Sequence, residues 1–199
     1  MSRWQPDARP RLETAALELF AEQGFAATTV PQIAARAGLT TRTFFRHFAD
    51  KREVIFAGDE YPEFAARLIA EAPLSLDPMT LVVEGLRSVA DTFEERRERI
   101  RGLRRIIRSD EGLRERELRK RAALCEAIRD GFIDRGVAPS LAALVAETGV
   151  SLLHVSIETW LEEDDGRTLY AVVLDTLGSL RTVLAPTNGG KCDPGSAGG

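Results

Sequence analysis

Between Thr28 and Phe56 the sequence TTVPQIAARAGLTTRTFFRHFADKREVIF starts helices three times in quick succession. Thr29 with Gln32 forms a capping-box pattern, and Pro31 falls in the first turn, where its missing N–H costs little. Gly38 suits a left-handed stop, and Thr40 is a good N-cap for a second short helix over about Thr41–Phe48. Asp50 with Glu53 repeats the capping pattern and predicts a further helix from Lys51. Short helix, glycine turn and short helix is the anatomy of a helix-turn-helix. The second of these helices carries Thr41, Arg42, Phe45 and Arg46 on one side, while Phe44, Phe48 and Leu39 turn towards a small core.

That polar side suits a DNA major groove. Thr40 and Thr41 offer hydroxyls and helix-terminal amides to a phosphate. Arg42 can fork onto guanine O6 and N7, and Thr41 can touch a base or a thymine methyl. One such bidentate pair contributes about 1–3 kcal/mol of discrimination. Lys51 adds positive charge beside the phosphate backbone. Residues 1–56 hold eight Lys/Arg against six Asp/Glu, a balance of +2, which leaves −6 for the rest of a chain whose net charge is −4. An acidic body with a slightly basic head is compatible with local DNA binding.

The elements around this stretch read as helices throughout. Residues 1–8 form an arm, either a frayed terminus or a segment that carries Arg3 to DNA. Leu12, Ala15, Ala16, Leu19 and Phe20 make one apolar stripe over Pro10–Gln23, and Gly24 ends it. A helix is predicted from Lys51 to about Glu71, with Pro62 either breaking or kinking it. Asp77-Pro78 opens the next, with Val82, Leu86, Val89, Ala90 and Phe93 on one face. Residues 94–121 are dense in both charge signs. The pairs Glu95/Arg99, Glu115/Arg119 and Glu117/Arg121 support helix at i,i+4. Solvated helix faces are the expectation there, with a break near Ser109–Gly112, rather than a second basic patch. The second half runs on to a stop at Gly136.

Helices over Pro139–Leu161 and about Gly166–Leu184 are apolar nearly all round, so each needs cover on several faces. A two-fold partner can supply it, which predicts a homodimer through Leu144, Leu152, Val155, Leu169, Val173, Leu177 and Leu180. The Gly-rich segment after Pro186 is expected to be disordered. The fold class is therefore all-α, with about nine helices. A helix-turn-helix DNA-binding domain spans 1–56, a helical ligand-binding and dimerisation domain 57–185, and a tail 186–199.

The segment LTTRTFFRHFADKREVIF resembles the tetracycline-repressor (TetR) family of transcriptional regulators. Thr40, Thr43, Phe44, Arg46, His47, Phe48 and Lys51 match the family pattern after the glycine turn. TTVPQIAARAG and LELFAEQGF match the preceding helices, so the likeness covers residues about 10–58. It implies phosphate contacts from Thr40, His47 and Lys51 and base contacts from Thr41 and Arg42. Thr29 and Thr43 are counted with the same DNA-facing set. The family's usual tyrosine is Phe45 here, which removes one hydroxyl–phosphate bond but leaves apolar contact with a sugar or thymine methyl. His47 can equally pack against the next helix. The family also implies double-stranded DNA with a palindromic operator as partner, a repressor's role, and a small apolar or amphipathic effector that releases the DNA.

Candidate effector contacts among the middle helices are Phe64, Leu86, Phe93, Ile107, Leu124, Ile128, His154 and Trp160. For each of them, plain core packing is the competing reading. Leu68, Leu103 and Phe132 belong to the same wider set. With 44% apolar and 29% charged residues and no uninterrupted apolar run of membrane-spanning length, a cytoplasmic protein is expected. The opening MSRWQPDARPRLE lacks the apolar core of a secretory signal. Cys125 and Cys192 make no metal spacing, and neither histidine has a partner motif for catalysis, so no cofactor, no metal and no enzyme activity are expected. Cys125 reads as a small buried hydrophobe and Cys192 as an incidental thiol. The alternative function is an all-helical interaction protein whose helix-turn-helix no longer binds DNA.

Overall fold

The computed structural model describes residues 8–56, 60–163 and 165–185. The N-terminal arm with Arg3, the 186–199 tail and Cys192 lie outside the described residues. These contain nine helices and no strand: α1 (Ala8–Gln23), α2 (Val30–Arg36), α3 (Thr41–His47), α4 (Tyr61–Glu71), α5 (Pro78–Glu94), α6 (Arg97–Ser109), α7 (Glu111–Asp134), α8 (Pro139–Glu162) and α9 (Leu169–Leu184).

Local chemistry sets most of these boundaries. Thr29 accepts from Gln32 N–H while Gln32 accepts from Thr29 N–H, closing the capping box of α2. Gly38 takes φ +64 after α2. Its N–H donates to Ala35 O at 2.9 Å and that of Leu39 to Ala34 O at 2.8 Å, the Schellman pattern. Thr40, Asp77, Asp110 and Thr168 cap α3, α5, α7 and α9 through their side-chain oxygens.

The helix expected over Lys51–Glu71 is not formed as one element. Residues 51–56 are a tight turn in which Ile55 N–H reaches Arg52 O and Phe56 N–H reaches Glu53 O. Glu53 N–H still bonds the Asp50 carboxylate at 2.9 Å. A new helix begins at Tyr61, so Pro62 lies in a first turn, where no N–H is needed. The proline marks a start, not a kink.

Two apolar clusters result. The head cluster joins Leu12, Ala16, Phe20, Ile33, Phe44, Phe48 and Val54, and it includes Ile106, Ile107 and Leu113 from α6 and α7. The body cluster is built by α4, α5, α7, α8 and α9 around Phe132, Trp160, Leu169 and Val173. Gly149 on α8 lets α5 approach closely, since a Cβ there would lie 2.6 Å from a Val82 methyl. Helix α8 is long and apolar enough, by composition, to cross a membrane, yet nearly half of that span is packed inside this body.

Of the arginines of α6, Arg99, Arg105 and Arg108 are exposed, as expected from their charge density, but Arg97, Arg101 and Arg104 are half-buried. Arg97 donates to Trp160 O at 2.7 Å and Arg101 to Leu161 O at 3.1 Å, closing the carbonyl end of α8. Arg135 does the same for α4, reaching Ile69, Ala72 and Pro73 carbonyls at 2.7–2.8 Å.

Lys51 is likewise turned inward. Its ammonium donates to Phe25 O at 2.7 Å and Thr28 O at 2.8 Å and lies 4.3 Å from the Phe25 ring centroid. It ties the turn after α3 to the α1–α2 loop. Lys51→Met should leave those carbonyls unmet and destabilise the fold by about 1–3 kcal/mol. Denaturant unfolding monitored by circular dichroism checks this; an unchanged midpoint would count against the strut.

Candidate nucleic-acid interface and effector cavity

On the head, α3 is anchored by Phe44 and Phe48, both buried, with ring centroids 5.4 Å apart. Their burial turns Arg42, Phe45 and Arg46 outward. Phe45 is 56% exposed, its ring edge-on to Phe44 with centroids 5.6 Å apart. Thr40 and Thr43 share a hydroxyl contact at 3.0 Å, and Thr40 also accepts from Thr43 N–H at 3.1 Å. Both residues are thus held at the helix start, with Thr41 half-buried between them. Thr29 stands exposed at the start of α2. His47 is half-buried, with Nε2 at 3.5 Å from Arg46 Nη2.

The head's other cations are mostly engaged. Arg36 holds Glu22 at 2.7 Å and Glu18 at 3.3 Å on α1. Arg11 caps α2 through Ala37 O at 2.5 Å, and Arg9 pairs with Glu13 at 3.3 Å. Lys51 is committed to the loop carbonyls. Arg42 and Arg46 therefore remain as the recognition helix's own cations facing outward, neither of them paired with a carboxylate among the described residues. The head presents a short helix with two guanidiniums, threonine hydroxyls and one apolar ring.

Beneath the head lies a cavity of about 240 Å³. The apolar wall includes Ile55, Phe56, Phe93, Leu103, Ile107 and Leu124; the polar wall includes Arg104, Glu117, Lys120, Arg121 and His154. A second cavity of about 60 Å³, almost wholly apolar, lies between α4, α5, α7 and α8 and includes Phe64, Leu86 and Ile128. The two share Tyr61, Leu124, Val150 and Leu153. Among the expected effector contacts, Phe93, Ile107, Leu124 and His154 line the first cavity and Phe64, Leu86, Leu124 and Ile128 the second. Trp160 lines neither. Its indole N–H donates to Arg167 O at 3.1 Å and its ring stacks under Arg97, which makes it a core residue.

Arg104 is the polar centre of the larger cavity. It reaches Glu117, Glu158 and, at 3.0 Å, His154 Nδ1. Residues 94–121 concealed this role, because charge density reads as solvent exposure. The signal was positional: Arg104 shares helical spacing with Ile100 and Ile107, and Arg121 with Glu117 and Leu124. Cys125 is half-buried, and burial pushes its thiol up to about 11, so it is protonated and inert at neutral pH.

The expected dimer face needs correction. Leu152, Leu169, Val173 and Leu177 are buried within the single chain, because the protomer's own core takes them. Leu144 and Val155 are exposed and Leu180 is half-buried. The outward apolar residues of α8 and α9 also include Leu141 and Leu174.

Three comparisons bear on this architecture. Residues 13–57 match the model for bacterial regulatory proteins of the tetR family. The HTH-type transcriptional regulator TcmR of Streptomyces glaucescens is 56% identical over 46 residues, 23% of this chain and 20% of that protein. The chain thus spans about a fifth of that relative's length. A TetR-family transcriptional regulator of Syntrophomonas wolfei superposes with TM-score 0.62 at 20% identity, over 88% of this chain and 93% of its own. Thermus thermophilus FadR, a TetR-family repressor solved with lauroyl-CoA, superposes with TM-score 0.53 at 21% identity, over 96% and 100% of the two chains.

Burial, then the neighbouring Arg121, Arg104 and Arg108, hold His154 down at about 4 from an ordinary 6.5. The unfolded chain takes up this proton near pH 6.5, whereas the folded site refuses it until about pH 4. Stability from this group is therefore intact above pH 6.5 and falls as pH drops from there towards 4. His154→Gln should lose less stability than the parent between pH 7 and pH 5. Paired urea titrations at the two pH values test it; equal losses would contradict the assignment.

Proposed function

Because the chain belongs to the tetR family of bacterial regulatory proteins, we propose that it is a homodimeric, effector-released transcriptional repressor of the cytoplasm, and not an enzyme. It binds a palindromic operator through α3, with the two recognition helices set roughly 34–36 Å apart across the two-fold axis. The observation that carries this reading is the recognition helix itself: two outward arginines without carboxylate partners, on a helix pinned by two buried phenylalanines. A degenerate head would not need to keep those charges clear of the acids that occupy Arg9 and Arg36.

Arg42 and Thr41 read bases, while Arg46 and the threonines Thr29, Thr40 and Thr43 at the starts of α2 and α3 position the head on phosphates. Phe45 packs against a sugar or a thymine methyl. Lys51 acts through the α1–α2 loop and not by direct contact. Arg42→Ala should weaken operator binding by about 1–3 kcal/mol and relax base preference at one position per half-site. Fluorescence anisotropy on operator variants measures both, and unchanged affinity together with unchanged preference would remove Arg42 as the reader.

Release follows from the position of the cavity. Ile55 and Phe56 end the head's last turn, and Ile107 belongs to the head cluster; all three also line the cavity. Lys120 donates to Phe56 O at 3.2 Å, and Arg116 reaches Asp50 at 3.6 Å. An apolar or amphipathic effector that fills the cavity displaces the wall on which the head rests. Each head then tilts, and the spacing of the pair departs from the operator's.

The subunits meet through the outward stripe of α8 and α9, with Leu144, Val155 and Leu174 near its centre. Val155→Arg should convert the dimer to a monomer and weaken operator binding, since one half-site is then lost per complex. Sedimentation velocity reads the first effect; a dimer of unchanged stability would place the interface elsewhere.

A further inference from the structure

We propose that the effector is an anionic amphipath, its carboxylate or phosphate head held against Arg121 and its single apolar chain directed into the smaller cavity. This rests on the reading of the larger cavity as the effector site and names the chemistry that site selects. Arg121 projects from α7 into the wall, half-buried. Among the described residues no carboxylate pairs with it, and its Nε–H is shielded from solvent without an acceptor. An unmet guanidinium N–H in such a place is costly, and an anion entering the cavity supplies what it lacks.

The surroundings do not offer a substitute. Glu117, the carboxylate among the described residues of the wall, is taken by Arg104. His154 is neutral and presents its Nδ1 to Arg104. Arg99 is occupied by Glu13 at 2.8 Å outside the cavity, and Arg96 is exposed at its rim. The wall therefore carries more positive than negative charge. A cationic ligand meets repulsion there, and a neutral one leaves the Arg121 Nε–H without a charged acceptor.

The tail has a separate place. The four residues common to both cavities, Tyr61, Leu124, Val150 and Leu153, set the two side by side, and Leu68, Leu86 and Ile128 line the smaller one. Volumes of about 240 and 60 Å³ are at the small end for a ligand site, which suits one slender chain over a polycyclic body.

The test is calorimetric titration of the full chain with four twelve-carbon probes below their micellar concentrations: dodecanoate, lauroyl-CoA, dodecanol and dodecyltrimethylammonium. Dodecanoate or lauroyl-CoA should bind about tenfold or more tightly than dodecanol, and the ammonium more weakly still. Whichever anion binds better tells whether the head is a free carboxylate or the phosphates of a thioester. Arg121→Gln should bring the anion down to the affinity of dodecanol, and Arg121→Lys should keep most of it. Thermal unfolding of each variant confirms that it is folded. Equal binding of dodecanol and dodecanoate, or full anion affinity in folded Arg121→Gln, overturns the proposal and leaves the cavity reading standing. Operator anisotropy run with the same probes separates the two readings. Anion binding without loss of DNA affinity refutes effector release while the charge selectivity holds.

Discussion

Everything in this fold depends on the burial of Ile106, Ile107 and Leu113 in a core that otherwise belongs to the head. Three short helices and a turn cannot bury enough surface to hold α3 rigid. Each of those borrowed side chains contributes about 1.5–3 kcal/mol on full burial, as an upper figure. The head is therefore completed by the body, and cannot shift on it without disturbing that shared core. The same contact puts Ile107 and Phe56 in the cavity wall, so whatever fills the cavity touches the head's support directly. No long shared helix is needed to couple the two.

A second constraint is electrostatic. Beside its surface pairs, such as Arg119 with Glu115 and Arg167 with Glu163, the acidic body turns several arginines to internal acceptors. Arg97, Arg101 and Arg135 close helix ends by donating to backbone carbonyls at distances near 2.7–3.1 Å. Arg104 organises two glutamates and a histidine inside the protein. Arg121 in the cavity wall has no carboxylate partner among the described residues and an unmet Nε–H, and its charge gives the cavity a sign. On the head the logic runs the other way: acids on α1 pair with Arg9 and Arg36, while Arg42 and Arg46 stay exposed without a carboxylate partner among the described residues.

Much of this was legible along the chain. Capping residues and glycine stops placed α2 and α3, the ends of α1 and α7 and the start of α5 near where they are observed, because caps act on their own neighbours within three or four residues; nothing of the kind marked the boundary between α5 and α6. The outward set of α3 was legible for the same reason, as helical spacing from two phenylalanines sorts the faces. The expected Lys51–Glu71 helix failed where two local signals competed. A capping pattern at Asp50 promised a long helix, but the turn closed at Phe56, and Pro62 began another. The role of Lys51 was hidden because its acceptors are loop carbonyls more than twenty residues earlier.

By itself, the sequence determined the all-helical class, the helix-turn-helix and the side of α3 that faces outward. Each rests on periodicity and capping, which need no distant partner. Tertiary structure alone decided which apolar faces of α8 and α9 are core and which remain outside, because a helix apolar all round carries no mark of its neighbours. It likewise decided that Trp160 is core and that Arg104 and Arg121 are cavity residues. A charged side chain reads as solvent-facing until a helix sixty or fewer residues away covers it, and only the packed fold shows which one does.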